Sequence, residues 1–159
     1  MSVTITLTTN NPTETQNIGR VLGKRSNPGD VFLLTGPLGA GKTCLTQGIA
    51  WGLGVKEHAR SPTFVLATQY KGRLRVHHID LFRIEDPYEL EDLGLDDYLN
   101  DEDICIVEWA DRAENLFSIQ SLWVGLDYGI NESDRTINIH TNGDRFDSLT
   151  LALSSLKAL

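Results

Sequence analysis

The chain has 159 residues and a formal net charge of −8. Its length predicts one domain, and its apolar share of 40% with 23% charged residues is ordinary for a globular protein that builds its own core. The acidic balance disfavours a surface that tracks nucleic-acid phosphates, so direct, tight binding to nucleic acid is not expected. The two cysteines, Cys44 and Cys105, form no C-x-x-C pair, which disfavours a disulfide framework or a thiolate metal site.

No targeting or membrane segment is apparent in the sequence. The first ten residues lack a positive region followed by an apolar one, so we expect no signal peptide. No apolar run approaches the length that spans a bilayer. Together with two cysteines that read as reduced, packed thiols, these features favour a cytoplasmic protein with no membrane partner.

The chain begins with an alternating stretch, Ser2 to Thr9, in which apolar residues alternate with threonines. This period of two predicts a half-buried strand. A helix start follows, with Asn11 as the N-cap, Pro12 at the first helical position and Glu14 placed to close a capping box. The sequence therefore predicts a strand and a helix ahead of the central motif.

The central motif is G-x-x-x-x-G-K-T, from Gly36 to Thr43, which lies between an apolar strand, Val31–Thr35, and a predicted helix at residues 44–53. Its glycines let successive backbone N–H groups point at an anion, and the following helix adds its positive N-terminal end. Lys42 supplies a mobile cation for the outer phosphates, and Thr43 offers a hydroxyl to Mg²⁺. The motif predicts a nucleotide site whose contacts come from Pro37, Leu38, Gly39, Ala40, Gly41, Lys42 and Thr43.

Strands and helices alternate through the rest of the chain. The predicted strands are Phe64–Tyr70 and Leu74–Leu81, joined as a hairpin by Lys71-Gly72-Arg73, then Ile104–Val107, Leu122–Leu126 and Thr136–His140. A helix is predicted to start at Asp86-Pro87 and to end near Gly94, and another closes the chain at residues 146–159. This order predicts one domain over residues 1–159, an α/β three-layer P-loop NTPase-like fold with a mostly parallel central sheet and an inserted β-hairpin.

Two predicted strands end in an acid, at Asp80 and at Glu108. Hydrolysis needs a carboxylate near Mg²⁺, and ligands bind at the carboxyl ends of parallel strands. Glu108 follows the more continuous apolar run, so it is our first choice for the metal. Asp80 would then orient the attacking water or take its proton, and the alternative is a helix-capping or surface acid.

The other candidate site residues are less clearly indicated by the sequence. The hydroxyl residues of Ser61-Pro-Thr63 lie where nucleotide switches often report the γ-phosphate, although a plain proline-containing loop explains them as well. Trp109 is either core packing or a ring near the site. His77 and His78 are adjacent on a strand, face opposite sides and are interpreted as structural. The arginines that could contact a phosphate or a base are Arg60, Arg83, Arg112 and Arg135.

The motifs occur in an order that resembles the TsaE (YjeE) family, bacterial ATPases needed to make threonylcarbamoyladenosine in tRNA. They are Gly36–Thr43, Ser61–Phe64, His78–Arg83, Asp86–Leu90 with Gly94, and Val107–Trp109. The resemblance extends from the first strand to about Arg135. It implies a compact P-loop fold, ATP and Mg²⁺ as ligands, and joint action with a TsaD–TsaB heterodimer, so that tRNA is reached only through these partners.

The resemblance also implies roles for residues at matching positions. Lys42 would bind the β- and γ-phosphates, and Thr43 and Glu108 would hold Mg²⁺. Asp80 would be needed for hydrolysis, so the catalytic set is Lys42, Asp80 and Glu108. Thr63 in a switch-like loop, Trp109 and Arg135 would complete the surroundings of the nucleotide. Two departures are minor: Phe82 stands where tyrosine is usual, and Cys44 where threonine is common.

The leading hypothesis is therefore a weak, partner-dependent ATPase. A small-molecule kinase would share the fold, but no arginine-rich lid is visible in the sequence. A GTPase switch normally carries an N-K-x-D loop, and that string is absent. A non-catalytic module, in which ATP merely stabilises an interface, is a further alternative.

Overall fold

A computed structural model describes residues 2–60, 67–118 and 120–157. In this part of the chain the strands are β1 (Ser2–Thr9), β2 (Val31–Thr35), β3 (Ala67–Lys71), β4 (Arg75–Asp80), β5 (Ile104–Glu108), β6 (Leu122–Tyr128) and β7 (Arg135–Asn142). The α-helices are α1 (Pro12–Lys24), α2 (Lys42–Gly52), α3 (Leu95–Tyr98) and α4 (Asp147–Lys157). Two 3₁₀ segments, Pro87–Leu93 and Ala110–Leu116, lie between them.

The strands form a single sheet in the order β1-β7-β6-β2-β5-β4-β3. Its four central strands, β6, β2, β5 and β4, are parallel, whereas both edges are antiparallel. The α/β class, the parallel centre and the β3–β4 hairpin confirm the prediction. The pairs β3–β4 and β6–β7 are antiparallel because a short connection can only join antiparallel neighbours. The third antiparallel pair, β1–β7, joins two strands that are far apart in the sequence.

The sheet is covered on both faces, as a three-layer fold requires. In β2, Phe32 and Leu34 pack on the side of α1, α2 and α4, and Leu33 packs on the side of the 3₁₀ segments. All three side chains have no exposed surface. This burial on both faces explains why the middle of β2 is apolar. Because β2 is the central strand, the glycine loop that follows it starts at the centre of the sheet.

Glycines bring α1 and α2 into close contact. A Cβ atom on Gly48 of α2 would lie 2.2 Å from the carbonyl oxygen of Gln16, and one on Gly19 of α1 would lie 2.6 Å from that of Leu45. Two further glycines, at positions 23 and 52, show equally short approaches between the helices. Because α2 begins at Lys42, this backbone-to-backbone packing fixes the helix that carries the end of the glycine loop.

The predicted helix signals are confirmed with one difference in helix type. The Asn11 side chain accepts from the backbone N–H of Glu14 at 2.9 Å and caps α1. The Asp86 side chain caps the next predicted helix, which is a 3₁₀ segment ending at Gly94, whose φ is +64°. Among the described helices, none is long and apolar enough to cross a bilayer.

Candidate functional site

The glycine loop joins β2 to α2 at the carboxyl edge of the parallel strands. Gly36 has a φ of +140°, and a Cβ atom there would lie 2.2 Å from the carbonyl oxygen of Leu126 in β6. Gly41 has a φ of +108° and occupies the N-cap of α2 with no side-chain cap. The positive end of α2 is therefore presented to the cleft by a loop whose shape only glycine allows.

The β6–β7 hairpin braces the outer side of this loop. The Tyr128 hydroxyl donates to the carbonyl oxygen of Leu38, and its ring lies 5.2 Å from the Arg135 guanidinium. Arg135 donates from Nε to the carbonyl oxygen of Ala40 at 3.1 Å and from Nη2 to that of Gly39 at 3.3 Å. Arg135 thus lies beside the expected nucleotide site, as a clamp on loop carbonyls.

Lys42 is folded over the mouth of the loop. Its Nζ donates to the carbonyl oxygens of Gly36 at 2.6 Å and Pro37 at 2.8 Å, and it lies 4.0 Å from the centre of the Trp109 ring. Burial lowers the pKa of the Lys42 ammonium, and the nearby charges of Glu108, Asp111 and Asp80 oppose that effect. The ammonium is held by neutral carbonyls that an anionic oxygen can replace.

The two strand-end acids lie side by side. Asp80 ends β4, Glu108 ends β5, and the two residues are partners in the parallel register. The Glu108 carboxylate is 2% exposed, and its Oε1 accepts from the Thr43 hydroxyl at 2.9 Å. Asp80 accepts from the backbone N–H of Phe82 at 2.8 Å through Oδ1. The fold therefore brings together the hydroxyl and both carboxylates on which the sequence hypothesis depends.

A cleft of about 320 Å³ connects the loop with the acids. Its walls include Gly39, Thr43, Asp80, Glu108 and the aromatic rings of Phe82 and Trp109. The Leu38 side chain, at the loop tip, is 70% exposed, whereas Ala40 is buried under the loop. The cleft combines an anion-binding loop, a cation and two carboxylates, which is the set needed for phosphoryl chemistry.

Trp109 combines both roles considered for it. Its ring contacts Lys42 on the cleft side, packs 4.9 Å from the Phe82 ring and lies 5.3 Å from the Arg112 guanidinium. Its φ of +59° is a left-handed value that is rare for a residue with a side chain. Such strain is found most often at functional sites, and here it turns the chain sharply after β5.

The residues present fit Mg²⁺ in the company of a nucleotide. Within the described ranges there is no group of three or more His, Cys, Asp or Glu side chains that could hold a metal unaided. The Thr43 hydroxyl and the Glu108 carboxylate are adjacent hard oxygen donors. Mg²⁺ is usually bound by one or two protein ligands together with phosphates and waters, so this pair is sufficient.

The structure adds a residue that the sequence interpretation missed. His78 contacts Glu108 through Nε2, whereas His77 faces the other side and bonds Asp103 at 2.7 Å. The available signal was the period of two, which places His78 on the same face of β4 as Asp80. The predicted switch-like segment, Ser61–Thr63, lies entirely outside the described residues.

Comparison with known proteins gives a consistent result. A family model described as "Threonylcarbamoyl adenosine biosynthesis protein TsaE" matches residues 9–137. A Bacillus subtilis protein named tRNA threonylcarbamoyladenosine biosynthesis protein TsaE is 40% identical over 145 residues, covering 91% of this chain and 90% of that protein. A Haemophilus influenzae protein of the same name is 40% identical over 97 residues, covering 60% of this chain and 61% of that protein. The crystal structure of Bacillus subtilis YdiB superimposes with a TM-score of 0.83 at 32% identity, covering 99% of this chain and 98% of that one.

Proposed function

Because the chain belongs to the TsaE family, we propose that it is a Mg²⁺-dependent ATPase that supports threonylcarbamoyladenosine formation in tRNA. The proposed pathway, tRNA threonylcarbamoyladenosine biosynthesis, is the one printed in the relatives' names. The main support for ATPase activity is the 2.9 Å hydrogen bond between the Thr43 hydroxyl of the glycine loop and Glu108 at the end of a neighbouring strand. A hydroxyl and a carboxylate this close together could both bind one Mg²⁺ ion.

The loop and Lys42 would bind the nucleotide phosphates. The N-terminal end of α2 attracts an anion, and Lys42 exchanges the carbonyls of Gly36 and Pro37 for phosphate oxygens. Thr43 and Glu108 would hold Mg²⁺, which supplies charge neutralisation on the phosphates when bound. Arg135 and Tyr128 keep the loop in the receptive shape by bonding its outward carbonyls.

Asp80 would serve the attacking water. Its carboxylate lines the cleft beside Glu108, and the hydrogen bond from Phe82 N–H fixes its direction. A water molecule that donates to Asp80 would be positioned to attack the γ-phosphorus. Its oxygen would form the new bond as the bond to the bridging oxygen breaks, ADP would leave, and the carboxylate would accept the proton.

The sequence and the net charge support two further parts of the proposal, the choice of nucleotide and the role of partner proteins. ATP is proposed over GTP because the N-K-x-D string is absent from the sequence. The net charge of −8 supports a division of labour in which a TsaD–TsaB complex holds the tRNA in the cytoplasm and this chain contributes ATP hydrolysis. In this proposal the chain resets the complex between turnovers and does not itself modify tRNA.

ATP hydrolysis by purified protein tests the proposal, with and without TsaD–TsaB. We expect Lys42→Ala, Asp80→Ala and Glu108→Ala each to abolish the partner-stimulated rate, and the control His77→Gln, on the opposite face of β4, to retain it. Retained activity in Glu108→Ala would indicate that the two carboxylates have the opposite roles, with Asp80 at the metal and Glu108 at the attacking water. Undiminished hydrolysis in all three variants would refute the site, and retained tRNA modification by an inactive Asp80→Asn variant would favour a non-catalytic module.

A further inference from the structure

A chain of hydrogen bonds runs from Glu108 away from the cleft, across three neighbouring strands. Glu108 on β5 contacts Nε2 of His78 on β4, and Nδ1 of His78 lies 3.1 Å from the hydroxyl of Tyr70 on β3. The same hydroxyl lies 3.0 Å from the backbone nitrogen of Arg60 and 3.2 Å from its carbonyl oxygen. The exposed fractions of the Glu108, His78 and Tyr70 side chains are at most 4%.

The register of the sheet places these side chains together. His78 is opposite Thr68 in β3 and Ile106 in β5. Tyr70 and Glu108 each lie two residues beyond those partners, so both share a face with His78. Asp80 is on that face too, since it is the register partner of Glu108. The alignment is thus a property of three paired strands.

The polarity of the chain follows from what each group can donate. A carboxylate only accepts, so the proton on the His78 side of the contact belongs to Nε2. In the neutral ring Nδ1 is then an acceptor for the Tyr70 hydroxyl, whose proton is shared between Nδ1 and the carbonyl oxygen of Arg60, and the hydroxyl oxygen accepts from the N–H of Arg60. Removal of any member leaves a buried polar group without its partner, which is more costly than the mean value of a hydrogen bond.

The two oxygens of Glu108 consequently have different surroundings. Oε2 is held by His78, with the Thr46 hydroxyl at 3.5 Å, whereas Oε1 accepts from Thr43 at the cleft. The Thr46 hydroxyl also donates to the carbonyl oxygen of Lys42 at 2.9 Å, so it is a poor substitute for His78. Without His78, Oε2 would lose its close partner, and the carboxylate would be less firmly held with Oε1 toward Thr43.

We propose that His78 and Tyr70 are positioning residues that aim Oε1 of Glu108 at the metal and tie this carboxylate to the main chain at Arg60. The role rests on the proposed function, in which Glu108 holds Mg²⁺. Partners that orient a metal ligand in this way typically change metal affinity by about 10- to 100-fold when they are removed. The backbone of Arg60 becomes the far anchor of the metal site.

The opposite face of the same strands offers matched controls. His77 is also buried and also bonds a carboxylate, that of Asp103, and the Tyr98 ring lies 5.3 Å from it. His77→Gln therefore repeats the chemistry of His78→Gln outside the proposed chain. Tyr98→Phe removes a tyrosine hydroxyl next to that second histidine, although Nδ1 of His77 has no hydrogen-bond partner among the described residues. A general loss of packing would affect both pairs, whereas a positioning role affects one pair only.

The test measures metal binding without turnover. Mn²⁺ is titrated into the protein saturated with ADP, and the loss of the free Mn²⁺ electron paramagnetic resonance signal gives its affinity. ADP affinity is measured separately in EDTA. We expect Tyr70→Phe to weaken Mn²⁺ binding by about tenfold, with ADP affinity in EDTA unchanged and both controls like wild type. His78→Gln, whose amide can still donate to Glu108, should bind Mn²⁺ more tightly than His78→Ala.

The outcomes separate the two proposals. Failure of the wild-type protein with ADP to bind Mn²⁺ would refute the proposed function and, with it, the role of the chain of hydrogen bonds. Normal binding by wild type and by Tyr70→Phe alike would overturn the positioning role and leave the proposed function intact. If the His78 variants do not fold, Tyr70→Phe decides alone, because it removes one oxygen atom and keeps the ring.

Discussion

Replacement of Gly48 by alanine should destabilise the protein, against the usual benefit of alanine in a helix. The added methyl group would lie 2.2 Å from the carbonyl oxygen of Gln16 and 2.9 Å from its Cα, so two backbones would have to separate. Overpacking typically costs about 1–3 kcal/mol, and we expect the upper part of this range because neither contact is with a flexible side chain. Higher helix propensity returns about 1 kcal/mol. The net loss is about 1–2 kcal/mol, or a decrease in Tm of about 2–8 °C for a chain of this length.

Thermal unfolding followed by circular dichroism measures this effect, with Gly125→Ala as the control. A Cβ atom on Gly125 would meet the Thr35 hydroxyl at 3.5 Å, an ordinary contact, so that variant should lose little stability. Since α2 begins at Lys42, we also expect Gly48→Ala to weaken ATP binding. A Gly48→Ala protein as stable as wild type would refute the view that direct backbone contact between α1 and α2 fixes the end of the loop.

Three further predictions concern the loop, the thiols and acid stability. Arg135→Ala should weaken ATP binding by about tenfold in calorimetry, because it removes the bonds of this partly exposed guanidinium to two loop carbonyls. We expect little change in Tm. Unchanged ATP affinity would argue that Arg135 does not hold the loop in its binding shape. Cys44 is half-buried in the cleft, so it should react slowly with iodoacetamide and be protected by ATP. Burial raises the pKa of Cys105 to about 12 and should keep that thiol unreactive until the protein unfolds. Equal labelling of both thiols in the folded protein would contradict this prediction. The hydrogen bond from Asn100, with a smaller contribution from His77, lowers the pKa of Asp103 below its ordinary value of 3.8. Asp103→Asn should therefore cost stability near neutral pH and progressively less as the pH falls below 3.8. Urea unfolding at several pH values can check this trend.

Features with a local cause were predictable from the sequence. The glycine loop is recognisable because its backbone shape and its chemistry are written in one continuous stretch. The strand that ends at Glu108 was predictable because a strand buried on both faces is apolar throughout and its carboxyl end lies at the ligand edge. The strand that ends at Asp80 contains two histidines and was predictable from the hairpin signal that precedes it. The caps at Asn11 and Asp86 act within three residues of themselves.

Features that depend on register between distant segments were not predictable in this way. The contact of His78 with Glu108 requires the pairing of β4 with β5, and Tyr70 joins them only through the β3 hairpin. Arg135 was expected near the nucleotide by resemblance, but its bonds to loop carbonyls depend on where β7 ends in space. The close approach of α1 to α2 likewise depends on how two helices cross.

The helix type after Asp86 was also beyond the sequence pattern. The cap and the terminating Gly94 were as expected, yet the segment between them is 3₁₀. The same face of the sheet is covered by a second 3₁₀ segment, which follows the left-handed turn at Trp109. Both short 3₁₀ segments pack on this face of the sheet around Leu33. The helix type there depends on the room between the sheet and the segment, and the spacing of apolar residues in the sequence does not reveal that distance.

We propose that ATP hydrolysis at the glycine loop sustains repeated tRNA modification by partner proteins. The most direct measurement is multiple-turnover formation of threonylcarbamoyladenosine by purified TsaD–TsaB with its substrates and tRNA, supplemented with wild-type protein or with Lys42→Ala. We predict many modification cycles with the wild type and arrest after the first with Lys42→Ala. Continued cycling with the variant, or without this protein, would contradict the claim.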